Sequence, residues 1–255
     1  MSALSAHSLR VSLGGRSVVG DVSLAVHPGE MLGIVGPNGS GKSTVLACLA
    51  GLRSPDDGRV LLGGVPIGEV GDRATRLAIV EQSAETDIDL RVSDVVGLGR
   101  IPHRSRWSAA SRHDAEIVSH CLDRAGLDGF GGRRWSTLSG GEKQRAHIAR
   151  AFAQQPTVLL LDEPTNHLDV RHQFELMDLL AAAEEAVVIV LHDLTLAATY
   201  CGRVVMLDAG LVVASGTPAE VFTPVNIATV FGVRADVDPD GALHLRGVAT
   251  AAQTG

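Results

Sequence analysis

Nine residues, Gly36-Pro37-Asn38-Gly39-Ser40-Gly41-Lys42-Ser43-Thr44, fit the phosphate-binding pattern G-x-x-x-x-G-K-[ST]. Glycines at 36, 39 and 41 let the backbone turn sharply and bring successive N–H groups close to a phosphate. Lys42 is spaced to reach the β- and γ-phosphates, and the Ser43 hydroxyl to ligand Mg²⁺. The flanks are those the chemistry requires. Met31–Val35 reads as a short buried strand, and Val45–Ala50 as the first turns of a helix. That helix start adds free N–H groups and the positive end of its dipole. A glycine-rich turn carrying a chance lysine would not need both flanks, so the stretch predicts a nucleoside-triphosphate site.

Two further groups of residues carry chemistry. Val158-Leu159-Leu160-Leu161 is wholly apolar and ends in Asp162-Glu163. It reads as a strand covered on both faces, with ligands expected beyond its carboxyl end. Downstream of a phosphate loop, Asp162 is expected to hold Mg²⁺ and Glu163 to polarise the attacking water as general base. Leu138-Ser139-Gly140-Gly141-Glu142-Lys143-Gln144-Arg145 has two readings. Ser139-x-x-Glu142 is a capping box that could simply start a helix over 147–152. Two glycines in a first turn weaken a helix by about 1 kcal/mol each, which a plain cap would not need. The expectation is a second phosphate contact through Ser139, Gly140, Gly141 and Glu142.

The elements that must position these groups follow from the patterning. Alternating stretches at 9–13 and 18–26, joined by Gly14-Gly15, predict a hairpin. Asp56-Asp57-Gly58 is a turn leading to a strand at 59–62 that could join it. A strand at 78–82 ends in Gln82. Between Ser93 and Gln155 the pattern turns helical: Ser93 is placed to cap a helix reaching Leu98, and Ile117, Val118, Cys121, Leu122 and Ala125 form an apolar stripe. Strands return at 158–161, 187–191, 204–207 and 211–214, with helices at 170–182 and 194–200 between the first three. That alternation predicts a parallel sheet. Asp208-Ala209-Gly210 and Asp238-Pro239-Asp240-Gly241 read as turns.

Composition bounds the partners. The chain has 255 residues, a net charge of −7 and 45% hydrophobic residues, but an aromatic share of only 3%. One large α/β domain with an inserted lobe fits that length, and its core must be aliphatic. The negative charge argues against nucleic acid as a partner. Cys48, Cys121 and Cys201 are scattered, so they read as reduced buried residues of a cytosolic protein rather than zinc ligands or disulfides. No signal pattern opens the chain, and no apolar run approaches the ~18 residues needed to span a bilayer. His167 and His172 are off-register for one helix face, so a metal pair there is not expected.

The phosphate loop, Gln82, Leu138–Glu142, Asp162-Glu163, Asn166-His167-Leu168-Asp169 and His192 occur in one order along the chain. That order resembles the ATP-binding subunits of ABC transporters, over nearly the whole chain. The resemblance implies an α/β phosphate-loop NTPase core with a mostly parallel sheet, an N-terminal antiparallel β subdomain and an inserted helical subdomain. Residues 1–82 and 156–215 would form the core with the β subdomain, 83–155 the insert and 216–255 a tail. It implies ATP held between Gly36–Thr44 of one copy and Ser139–Glu142 of a second, in a head-to-tail dimer. By the same resemblance Gln82 ligands Mg²⁺ and senses the transport subunits, Asp169 communicates across the dimer, and His192 contacts the γ-phosphate. Family members usually stack an aromatic residue of the first hairpin on adenine; the aligned position here is Leu13, which has no π face.

Two stretches, Val96-Gly97-Leu98-Gly99-Arg100-Ile101-Pro102-His103 and the tail from Gly216 through Val233, are similar to importers of iron–siderophore complexes, haem and vitamin B12. The expectation is an iron–siderophore importer ATPase, with haem or vitamin B12 as alternative cargo. It would sit at the cytoplasmic face of the membrane through permease subunits, served indirectly by a substrate-binding protein. A soluble relative working in iron–sulfur cluster assembly and a nucleotide-gated module without turnover are the other classes; Glu163 speaks against the latter. Arg100, His103, Arg104, Arg106, Arg112 and His113 form a basic stretch, expected to flank the grip on the transport subunit.

Overall fold

The computed structural model describes residues 2–81, 90–104, 111–238 and 243–248. The chain opens with β1 (Leu4–Leu13) and β2 (Arg16–Val26), then β3 (Met31–Val35) and α1 (Lys42–Leu49). Next come β4 (Asp57–Leu62), β5 (Val65–Pro66), α2 (Arg73–Arg76) and β6 (Leu77–Val80). A helical stretch follows, with α3 (Val92–Gly97), α4 (Arg112–Arg124) and α5 (Gly140–Ala153). The chain then alternates through β7 (Val158–Asp162), α6 (Val170–Ala181), β8 (Ala186–Val190), α7 (Leu194–Tyr200), β9 (Arg203–Asp208) and β10 (Leu211–Gly216). It closes with α8 (Pro218–Val221), α9 (Pro224–Phe231), β11 (Val233–Val237) and β12 (Leu243–Val248).

The principal sheet has strand order β10-β9-β3-β8-β7-β6. Its pairs are parallel except for the β9–β10 hairpin at one edge. Alternate residues feed two cores, as period-2 strands buried on both faces must. Leu159, Leu161, Val187 and Ile189 face α5, α6 and α7. Val158, Leu160, Val188 and Val190 instead join α1 and the antiparallel sheet β2-β1-β4-β5. Because β3, β8, β7 and β6 run the same way, with Ile34 level with Val190 and Val190 level with Asp162, their carboxyl ends share one edge. The loops leaving β3, β7 and β8 at that edge carry residues 36–41, Glu163 and His192.

The hairpin, the strand β4 beside it and the parallel alternation match the sequence expectation; β11 and β12 pair, while Pro239-Asp240-Gly241 of the expected turn lie outside the described residues. The turn at Asp56 runs directly into β4, with Gly58 at φ 87° where the β1–β4 register shifts. Ser93 does not cap α3. The N-cap is Arg91, whose N–H donates to the Asp94 carboxylate three residues on, so Ser93 lies inside the first turn. No helix among the described residues is long and apolar enough to cross a membrane.

The basic stretch is also corrected. Arg100 is not at the surface: only 4% of it is exposed. Its guanidinium donates to Asp114 Oδ1 at 2.9 Å, the Ala153 carbonyl at 2.7 Å and Gln155 Oε1 at 2.8 Å. Arg104 also donates to Asp114, and His103 meets the Gln154 carbonyl. Arg112 pairs with Glu116 one turn along α4, and Arg106 lies outside the described residues. A buried guanidinium needs a carboxylate and satisfied donors, and this one found both in the seam between α4 and the end of α5. Gly99 permits the approach, since a Cβ there would collide with the Arg150 carbonyl.

Candidate functional site

The phosphate loop joins β3 to α1 at the sheet's carboxyl edge, with all three of its glycines at positive φ. Each has a different reason. A Cβ on Gly36 would strike the Leu207 carbonyl of β9, and one on Gly41 would lie 2.8 Å from the Val18 carbonyl of β2. A Cβ on Gly39 would meet nothing within 4 Å, so that glycine borders open space. The loop is braced from outside: Gly210 N–H, in the β9–β10 turn, donates to the Ser40 carbonyl at 3.1 Å, and Gly20 N–H in turn donates to the Gly210 carbonyl. In the sequence Asp208-Ala209-Gly210 reads only as a hairpin turn, and nothing local to it signals the bracing.

Lys42 is 95% buried at the start of α1 (5% exposed), with Nζ donating to the Gly36 and Pro37 carbonyls at 2.9 and 3.0 Å. Burial pulls its pKa down, against the opposing pull of Glu163 and Asp162. The ammonium is thus held inside the loop by two weak acceptors, which a phosphate oxygen would displace with gain. Ser43 Oγ lies 3.5 Å from Asp162 Oδ1. Burial pushes the Asp162 carboxyl up, Ser43 opposes that by hydrogen bonding, and Glu163 and Glu81 add like charge. A hydroxyl and a carboxylate converging amid excess negative charge is a donor set suited to a hard divalent cation. Among the described residues, no cluster of three His, Cys, Asp or Glu side chains suits a metal. Gln82 lies outside the described residues; the preceding Glu81 already acts on Asp162.

Glu163 follows β7 at φ 50°, a conformation non-glycine residues rarely adopt. Its Oε1 is hydrogen-bonded to His192 Nε2, and its Oε2 accepts from Asn166 Nδ2 at 2.6 Å. His192 is placed by the end of β8, where Leu191 N–H donates to the Ile34 carbonyl, and by Asp193, which caps α7. A carboxylate with both oxygens directed, beside an imidazole, is equipped to orient and deprotonate water.

Ser139 and Glu142 do form the capping box of α5, so that alternative is satisfied: Ser139 N–H donates to Glu142 Oε2 at 2.7 Å, and Glu142 N–H to Ser139 Oγ at 3.3 Å. The glycines between them separate. A Cβ on Gly141 would come within 3.0 Å of the His172 ring, which explains that residue from within the chain. Gly140 has open space around it and no such explanation. Asp169 caps α6, accepting from His172 N–H at 2.9 Å and meeting the His172 ring at 2.8 Å. His172 therefore joins the Asp169 turn to the Ser139–Glu142 segment. Sequence reading gave it no role, because the link runs across two helices. Leu13 ends β1 on the surface, 40% exposed.

A family profile described as ABC transporter matches residues 19–166. The hemin import ATP-binding protein HmuV of Pseudomonas fluorescens (strain Pf0-1) is 43% identical over 240 residues, covering 90% of this chain and 92% of that protein. The protein of the same name from Streptomyces coelicolor (strain ATCC BAA-471 / A3(2) / M145) is 42% identical over 241 residues, covering 92% and 85%. Among solved structures, a chain of an inward-facing ABC transporter superposes with a TM-score of 0.84 at 23% identity, covering 99% of this chain and all of that one. A dimeric bacterial ABC transporter cassette gives a TM-score of 0.72 at 28% identity, covering 84% and 98%. With the loop, the acidic strand end and the capped glycine segment on one scaffold, the chain belongs to the ABC transporter family, as one of its ATPases.

Proposed function

We propose that this chain is the ATP-hydrolysing subunit of a haem importer. The observation that carries this reading is the reach of the likeness. Relatives named for hemin import match at 40–43% identity over 90–92% of the chain, through the helical stretch as well as the sheet. The expectation of iron–siderophore cargo gives way to haem on that ground, because the relatives matched over nearly the whole chain are named for hemin import.

In this reading Gly36–Thr44 cradles the phosphates and Lys42 leaves its two carbonyls for the β- and γ-oxygens. Ser43, Asp162 and Gln82 would hold Mg²⁺, which supplies charge neutralisation on the phosphates. Glu163 is the general base, and His192 meets the γ-phosphate. Ser139, Gly140, Gly141 and Glu142 serve the site of a second copy, for which the open space at Gly140 is the supporting feature. Leu13 borders the base, and Asp169 faces the partner copy. The helical stretch, taken as 83–155, engages permease subunits at the cytoplasmic face, and a substrate-binding protein delivers the cargo. Nucleic acid has no part in it.

Two experiments test this. Lys42→Ala should lose nucleotide binding, whereas Ser139→Arg should keep it and lose hydrolysis; mixing the two inactive variants should restore activity through one intact composite site. Equal loss of ATP binding in both would refute the two-chain arrangement. For the cargo, a strain lacking this chain should fail to grow on haem as sole iron source yet grow on a ferric siderophore; the reverse pattern would reinstate siderophore uptake.

A further inference from the structure

We propose that Asn166 is a positioning residue for hydrolysis, acting through Glu163. This rests on Glu163 being the general base. The two oxygens of Glu163 are held differently. Oε1 faces His192, a side chain 38% exposed on a separate loop. Oε2 accepts from Asn166 Nδ2, three residues along the same turn, at 2.6 Å. In the proposed role of His192 at the γ-phosphate, Asn166 is the protein donor left on the Glu163 carboxylate, fixing its plane.

The turn is built to hold that amide in place. Asn166 N–H donates to the Glu163 carbonyl at 3.2 Å. The Thr165 carbonyl accepts from Leu168 N–H at 3.3 Å and from Gln173 Nε2, on α6, at 3.2 Å. Thr165 itself is buried. Closing this turn therefore uses backbone groups and Gln173, and any residue but proline at 166 could supply the backbone part. The Asn166 amide adds only the bond to Oε2. A carboxylate held by a neutral donor keeps its charge and loses rotational freedom about χ3. Both favour a base that must meet water in one orientation.

The test uses the full chain, with steady-state and single-turnover ATP hydrolysis. Asn166→Ala should lower kcat by ~10–100-fold, the scale of a misplaced reacting group. KM and the thermal midpoint should stay close to the parent's. Asn166→Asp keeps the shape but replaces the donor by a second carboxylate, so it should lose at least as much. In a Glu163→Ala background, Asn166→Ala should change the residual single-turnover rate by less than about twofold, since residues acting as a unit are not additive. Near-parental kcat in Asn166→Asp would overturn the proposal. So would a rise in KM at constant kcat, or an equal loss with and without Glu163. If Glu163→Ala itself leaves turnover intact, the assignment of the base fails first and is told apart by that control.

Discussion

Replacing Arg100 by Met should cost stability rather than partner binding. The substitution keeps the long aliphatic stem and removes the guanidinium that joins Asp114, the Ala153 carbonyl and Gln155 Oε1. Breaking a buried pair by removing one member costs about 3–5 kcal/mol. Two features set the value at the lower end. Arg104 still reaches Asp114 at 3.2 Å, and Met recovers part of the packing. About 3 kcal/mol in a chain of this size lowers the thermal midpoint by about 6–12 °C, at roughly 2–4 °C per kcal/mol. The Ser111 N–H and Arg100 hold the Asp114 carboxyl well below the usual carboxylate range. A depressed folded-state pKa contributes stability that is complete above the ordinary carboxylate value and lost as pH falls through the folded one. The deficit of the variant should therefore be constant from pH 8 to 5. Thermal melts by circular dichroism at several pH values read it directly, with basal ATPase per folded molecule close to the parent's. A midpoint within about 2 °C of the parent, together with weaker permease assembly, would refute the buried-hub account and return Arg100 to the surface role its sequence neighbourhood implied.

Three further outcomes are expected. Glu163→Gln should retain ATP and lose turnover by ~10²–10⁴-fold; light scattering with ATP and Mg²⁺ should then show a dimer, and a monomer with normal turnover would contradict the role of Glu163. Leu13→Tyr should tighten ATP binding by about 0.5–1.5 kcal/mol in titration calorimetry if the hairpin faces adenine, and leave it unchanged if the base is held elsewhere. His147, edge-on to Trp135, has its pKa pulled down to about 4, first by burial and then by Arg150 and Lys143. The unfolded chain thus takes up a proton that the fold refuses, and stability falls by about 3 kcal/mol as pH drops from the ordinary histidine value towards 4. His147→Phe should flatten that slope in denaturant titrations, and an unchanged slope would place the acid sensitivity elsewhere.

The sheet was legible because its strands are buried on both faces: runs such as Leu159–Leu161 and Val187–Val190 have no solvent face to obscure them. The site was legible where chemistry is contiguous. The phosphate loop, the acidic pair at the end of β7 and the capped segment at Ser139 each carry their spacing within ten residues, so local sequence holds the signal. What failed was long-range pairing. A row of basic residues reads as a charged face because solvation is the commonest fate of arginine. Asp114 and Gln155, fourteen and fifty-five residues further on, turned Arg100 inward. The cap of α3 failed for a smaller reason of the same kind. Ser93 is the better side-chain capper, but Arg91 also forms a bridge with Arg134, and Val92 N–H donates to the Arg133 carbonyl. The chain direction at that point is thus set by tertiary contact before capping preference acts.

The same distinction explains why His172 and Asn166, both named in the sequence analysis, carry no role of their own there. Neither is an unusual residue in its own window, and each matters only through what lies across a turn or a neighbouring helix. Asn166 meets Glu163, the proposed base of one site, and His172 ties Asp169 to Gly141, in the segment proposed to serve the other. Asn166 lies in the single connection from β7 to α6, and His172 in the first turn of α6, which that connection caps through Asp169. A head-to-tail pair would need such a connection, since in the proposed arrangement each chain would contribute the base to one site and the capped glycine segment to the other. In that arrangement, rigidity between the two contributions would let closure at one site bear on the geometry of its twin. The short route from Glu163 through Asn166 to Asp169, and across His172 to Gly141, provides that rigidity with side chains whose partners are all fixed within one chain.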